Sequence, residues 1–202
     1  MLAGSAALAA GQLLVTPSVS EVHHVTPYQM EGPFFPGSRG IDTDVDLTVI
    51  KGRSESAQGD VVFLKGRILD VLGRPLKGAK INMWQANTWG RYDHPNDKSG
   101  TQLDPNFQGS SVIYTGDDGG YSVKTIIPGN YLSNSDGMRA GHIHFFVQRR
   151  GYKALTTQMY FKGDPLIEDD NIIKRVPEFL RELLIVDFGA GFGTFDMVLA
   201  TR

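Results

Sequence analysis

The chain predicts an all-β fold, a single β-sandwich of about eight strands joined by long loops. Two observations carry this. Short runs of alternating or continuous apolar residues recur with turn residues between them, and the 202 residues include 24 glycines and 10 prolines. Only one stretch, Pro177 to Leu184, reads as a helix, and it is short with proline at its start. No internal repeat or low-complexity tail interrupts the pattern.

Residues 1–25 differ from the rest. Their small apolar run, Met1 to Leu14, resembles the hydrophobic part of an export signal, but no basic residues precede it. It reads as an N-terminal arm or as the remnant of an export leader, which leaves both a cytoplasmic and an exported location open. It is too short and too rich in glycine and alanine to span a membrane. Residues 26–202 read as the catalytic domain. Its entry, Thr26 to Pro36, holds prolines and glycines that forbid a long helix and too many aromatics for a solvated linker. It is expected to lie across the domain, either as a lid over the core or as the wall of a pocket.

The strands follow in order. Val61 to Asp70 is the first, Leu72 to Leu76 a turn, and Ala79 to Ala86 the second. Ser111 to Tyr114 and Tyr121 to Ile127 flank an Asp-Gly turn and read as a hairpin. Arg139 to Val147 is next, then Ala154 to Phe161. Leu183 to Phe188 and Gly193 to Ala200 are expected to form a last pair.

Composition excludes several functions. With no cysteine, disulfides, thiolate metal sites, iron–sulfur clusters and cysteine nucleophiles all drop out. A net charge of −2 gives no electrostatic reason to bind nucleic acid or an anionic membrane. Any metal must be held by histidine, tyrosine, carboxylate or backbone oxygen.

Such a metal is suggested by His142 and His144. Successive strand side chains alternate, so the two imidazoles share one face and can grip one ion. Two hydrogen-bonded histidines would give the same pattern. Tyrosines in polar, glycine-rich settings offer further ligands: Tyr92 in the stretch Trp84 to His94, and Tyr131 after Pro128-Gly129-Asn130. A phenol with a free pKa of about 10 ligates only as phenolate, which a hard cation such as ferric iron can enforce. Each tyrosine alone is equally a packing residue, and His94 competes as a ligand because it shares a face with Tyr92 if that segment is extended. Trp84 and Gln85 read as packing.

Four motifs then occur in order: Gly90-Arg91-Tyr92, Pro128-Gly129-Asn130-Tyr131, Arg139-Ala140-Gly141-His142-Ile143-His144, and Thr157-Gln158-Met159-Tyr160-Phe161-Lys162-Gly163-Asp164. With this order and spacing the chain resembles the intradiol ring-cleavage dioxygenases, of the protocatechuate 3,4-dioxygenase and catechol 1,2-dioxygenase kind, from about Gly32 to Asp164. The resemblance implies one non-haem Fe(3+) per chain, held by Tyr92, Tyr131, His142 and His144. Tyr92 and His142 would be equatorial, Tyr131 and His144 axial, and His94 would not be a ligand. It implies that Arg139 stabilises charge on the substrate and that Gln158 sits beside the iron. Pro33, in Gly32-Pro33-Phe34-Phe35, would touch substrate. The reaction implied is insertion of both atoms of O2 into a catecholic substrate, giving a cis,cis-muconate-type diacid.

Departures from the family pattern also count. The long helical dimerisation segment of catechol-type members has no counterpart here, so self-association into a homo-oligomer stays open. Leu132-Ser133-Asn134 stands where protocatechuate enzymes tend to carry Pro-Trp, which alters how a ring carboxylate would be met. The segment Leu64 to Ile81 resembles transthyretin-like accessory domains, whose role would be binding rather than catalysis. A zinc or copper hydrolase built on the histidines would have no reason to carry both tyrosines.

Overall fold

A computed structural model describes residues 22–37 and 42–202. The leader-like residues 1–21 lie outside the described residues. Among the described residues eleven strands form: β1 (Val61–Asp70), β2 (Lys80–Gln85), β3 (Ser110–Tyr114), β4 (Gly120–Ile126), β5 (Tyr131–Ser133), β6 (Gly137–Arg139), β7 (His142–Gln148), β8 (Leu155–Phe161), β9 (Ile185–Val186), β10 (Phe192–Thr194) and β11 (Met197–Leu199). The short helix α1 (Glu178–Arg181) is preceded by Pro177. Among the described residues no helix is long and apolar enough to cross a membrane.

Two sheets pack face to face. One has the order β3-β2-β7-β8-β9, and in the other β1 pairs with β4, β10 and β11. The alternation of β1 turns Val62, Leu64 and Ile68 inward. They meet Ile81 and Met83 of β2, Ile143, Phe145 and Val147 of β7, and Met159 of β8. These apolar side chains, almost all removed from water, form the core that stabilises the sandwich.

The five-stranded sheet is covered on its other face as well. There β2, β7 and β8 bring Trp84, His144 and Gln158 abreast, and His142 opposite Tyr160. Residues 26–30 cross β8 above them. Gln29 N–H donates to the Thr156 carbonyl at 2.9 Å, and the Thr157 hydroxyl donates to the Pro27 carbonyl at 2.8 Å. Every residue of β8 is consequently buried. Upstream, His23 N–H donates to the Val71 carbonyl at 2.9 Å.

Two expected pairings are overturned. Ser110–Tyr114 and Gly120–Ile126 are not a hairpin, because β3 joins β2 while β4 joins β1. The chain between them crosses from one sheet to the other. Thr115 anchors the crossing, accepting from Ala79 N–H at 2.8 Å and donating to the Leu76 carbonyl at 2.6 Å. The C-terminal strands do not pair with each other either: β9 runs parallel to β8, whereas β10 and β11 run parallel to β1. Alternation specifies which face of a strand is buried and says nothing about which edge it joins.

Between β10 and β11 the chain bulges over Gly66. Phe195 N–H donates to the Lys65 carbonyl at 2.9 Å, and the Tyr121 hydroxyl donates to the Phe195 carbonyl at 2.7 Å. A Cβ on Gly66 would collide with that carbonyl oxygen and come within 2.9 Å of the Tyr121 ring. Gly66→Ala is therefore expected to destabilise the fold by about 2 kcal/mol or more, read as a lower urea midpoint. An unchanged midpoint would show that this contact does not constrain the sheet.

Candidate metal centre

The site is built on the outer face of β7. His142 and His144 are both about 2 % exposed. His142 Nδ1 lies 2.6 Å from the Ala140 carbonyl oxygen. A carbonyl only accepts, so Nδ1 carries the proton and Nε2 keeps its lone pair. His144 Nδ1 is buried without a partner, and its ring is held by stacking on Trp84, with centroids 4.7 Å apart and planes 7° apart. The two Nε2 atoms meet at 3.1 Å.

Both tyrosines arrive on loops pressed together. Asn87 Oδ1 accepts the N–H groups of Trp89 and Arg91, each at 3.0 Å, and Gly129 N–H donates to the Asn87 carbonyl at 2.9 Å. Gly90 has φ +77°, and a Cβ there would meet the Asn130 backbone and come within 3.0 Å of Tyr131 Cβ. The glycine thus supplies the backbone turn and lets the loops touch. Asp97 Oδ2 accepts from Tyr92 N–H at 2.8 Å. The Tyr92 ring stacks on Phe34 at 4.5 Å and stands edge-on to Tyr131 at 5.6 Å. Its hydroxyl reaches 3.4 Å from His142 Nε2.

Burial pushes the Tyr92 phenol well up and the Tyr131 phenol up, opposed in both by Arg139. Burial pushes both imidazoles well down, and Arg139 adds to this. Without a cation all four groups are neutral. Two nitrogens each about 2.1 Å from one ion, at right angles, would lie about 3.0 Å apart. The observed 3.1 Å therefore fits a pair of adjacent ligands. Among the described residues no group of three or more histidine, aspartate and glutamate side chains is placed to hold an ion, this site included. An ion here must rely on phenolic oxygen.

Arg139 is 3 % exposed. Its Nε donates to Asp170 Oδ2 at 2.8 Å, and its Nη2 donates to Gln158 Oε1 at 2.6 Å. The Tyr160 hydroxyl donates to the same Gln158 oxygen at 3.1 Å. Gln158 Nε2 donates in turn to the Met30 carbonyl at 2.9 Å. Asp170 Oδ2 also takes Ala140 N–H at 3.0 Å, so it braces the residue whose carbonyl orients His142. Neither Tyr160 nor Asp170 stood out in the sequence. Tyr160 could have been found, since it follows Gln158 by two positions on a strand. Asp170 carries no local signal.

A cleft of about 540 Å³ opens onto this centre. His144, Tyr131, Arg139 and Pro33 line it, while His142 and Tyr92 do not. His94 stays apart. Its segment turns rather than extends, and His94 Nδ1 accepts the Asn96 N–H at 3.1 Å.

A family model described as Dioxygenase matches residues 30–199. The protocatechuate 3,4-dioxygenase beta chain of Burkholderia cepacia is 39% identical over 171 residues, covering 79% of this chain and 72% of that protein. The catechol 1,2-dioxygenase of Acinetobacter baylyi is 36% identical over 179 residues, covering 82% of this chain and 54% of that one. The chain thus spans about half the length of the catechol-type relative. Among solved structures, the dioxygenase domain of a dioxygenase–carbohydrate-binding fusion from a cellulolytic Streptomyces superposes with a TM-score of 0.66 at 31% identity, covering 89% of this chain and all of that domain. With a family match across most of its length, the chain belongs to the intradiol ring-cleavage dioxygenases.

Proposed function

We propose that this chain cleaves a catechol between its two hydroxylated carbons, inserting both atoms of O2 to give a cis,cis-muconate-type diacid. The observation that supports it most is the meeting of Tyr92, His142 and His144 through contacts of 3.1 and 3.4 Å, with the Tyr131 ring 5.7 Å from that of His142. Tyr92, Tyr131, His142 and His144 would hold one ferric ion, with two phenolates and two neutral imidazoles leaving it about one positive charge. Bound there, ferric iron supplies Lewis acidity and a template for catecholate and O2.

The protein's own groups account for the rest. Of the two tyrosines, Tyr131 is half-buried and lines the cleft, whereas Tyr92 is sealed behind Phe34. A catechol entering the cleft therefore meets Tyr131 first. Burial favours the neutral phenol, so once displaced Tyr131 is a ready acceptor for one of the two catechol protons. Arg139 is held by Asp170 and Gln158 through Nε and Nη2, and Nη1 makes no hydrogen bond among the described residues. It can meet negative charge developing on substrate oxygen from a preorganised position. Gln158 acts by placing Arg139. Pro33 and Phe34 wall the cleft and keep water from the centre.

Ferric phenolate should colour the purified iron-loaded protein, and anaerobic addition of catechol should shift the visible band. A colourless iron-replete protein would sink the two-tyrosine centre. Tyr131→Phe is expected to change the spectrum and to lower kcat by roughly 10²-fold, the scale of a lost proton acceptor. Full activity with an unchanged spectrum would rule out the displaced-ligand role. Asp170→Asn leaves Arg139 buried without its counter-charge and is expected to cost about 3 kcal/mol of stability, read by urea denaturation. A loss below about 0.5 kcal/mol would mean that the pair does not hold Arg139 in place.

A further inference from the structure

Arg139 is held by Gln158, and Gln158 is held in turn by the segment that enters the domain. That segment is clamped to both sheets. Thr26 N–H donates to the Val198 carbonyl of β11 at 3.1 Å, and the Thr26 hydroxyl accepts the Val198 N–H at 2.8 Å. Three residues on, between exposed Tyr28 and Met30, the Gln29 side chain turns inward over β8 and is 4% exposed. Packing alone gives no reason for an amide there. An apolar side chain would fill the same place without the cost of burying polar atoms.

The polar atoms of Gln29 are both spent, and each in a direction that its partner dictates. Gln29 Oε1 accepts the Gln158 backbone N–H at 3.0 Å. An N–H only donates, so Nε2 is the atom that faces the Tyr160 hydroxyl at 3.2 Å, and it donates to it. Gln158 is fixed in the same way. Its Nε2 donates to the Met30 carbonyl at 2.9 Å, which leaves Oε1 facing Arg139 Nη2 at 2.6 Å. Tyr160 has one proton to give. It receives Gln29 Nε2 and, at 3.4 Å, Arg139 Nη2, so its proton goes to Gln158 Oε1 at 3.1 Å. Burial pushes the Tyr160 phenol up, which keeps that proton in place. Gln29 therefore acts on Gln158 twice, directly at its backbone and through Tyr160 at the oxygen that receives Arg139.

We propose that Gln29 is a positioning residue for ring cleavage: through Gln158 and Tyr160 it fixes the Arg139 guanidinium and with it the direction of Nη1. This rests on the reading of Arg139 as the group that meets charge developing on substrate oxygen. The entry segment then does more than wall the cleft at Pro33 and Phe34. Its buried amide sets the hydrogen-bond sense of a network that ends at the substrate.

The test compares iron-loaded full-chain variants by oxygen uptake with catechol or 3,4-dihydroxybenzoate, whichever is cleaved faster, and by anaerobic spectral titration. Gln29→Met keeps the length of the side chain and removes both of its contacts. It should lower kcat per bound iron roughly tenfold while the anaerobic Kd changes less than about twofold. Tyr160→Phe should also lower kcat, and the double variant should lose clearly less than the product of the two factors, because both act through one link. Thr157→Val removes a different tie of the same segment, the 2.8 Å hydrogen bond to the Pro27 carbonyl. Its kcat per iron should stay within about twofold of the unmodified chain. An unchanged kcat per iron in Gln29→Met overturns the proposal, as do single-variant factors that multiply. A loss in Thr157→Val as large as in Gln29→Met overturns it too, since docking of the segment would then be what counts. Should Gln29→Met not fold, Tyr160→Phe decides alone, and an unchanged kcat in it overturns the link. Arg139→Gln separates the two readings. If it loses kcat while Gln29→Met does not, the role of Gln29 alone fails. If Arg139→Gln keeps full kcat, the reading of Arg139 fails and takes the role of Gln29 with it.

Discussion

The registers of β2 on β7 and of β7 on β8 place Trp84, His144 and Gln158 in one row across three strands, with His142 and Tyr160 in the next. Side chains on a strand alternate, so a slip of one residue would turn both histidines into the apolar core and bring Ile143 and Phe145 to the outer face. The packing of Ile143, Phe145 and Val147 between the sheets therefore fixes the direction of the imidazoles. Catalytic geometry and core packing are consequences of the same pairing.

Polar groups on the outside of a sheet would ordinarily face water. Here they are covered, and each covering element also satisfies a polar atom. Residues 26–30 accept and donate hydrogen bonds along β8 while closing over Gln158. The buried Arg139 charge is balanced by Asp170 and shared with Gln158 and Tyr160. Unpaired, a charge in this position would be costly to bury. With these partners the centre is buried except where the cleft opens, and burial favours the neutral forms of its phenols and imidazoles. A cation bound there would have to draw the protons off the phenols.

The two tyrosines differ in access although their loops are joined at Gly90 and Asn130. Tyr92 is clamped from both ends, its ring on Phe34 and its peptide on Asp97. Tyr131 opens β5 and faces the cleft. The same loops extend outward along the cleft, where Asp97 joins the Tyr92 and Ser99 backbones.

The amino-acid sequence by itself determined the strand content, the short helix after Pro177, the shared face of His142 and His144, and the family. These are local properties: alternation, turn chemistry and motif spacing lie within a few residues of one another. Strand partnership was not legible, because alternation marks a buried face without naming the neighbouring edge, and so β3 and β4 separated into different sheets. The role of Asp170 was equally hidden. It lies 31 positions from Arg139 and meets it only when the chain after β8 folds back. Asp97 likewise shows only in the tertiary structure that its carboxylate is spent on the backbone N–H groups of Tyr92 and Ser99. Burial and pairing decide what a charged side chain can do, and both are set by residues distant in sequence.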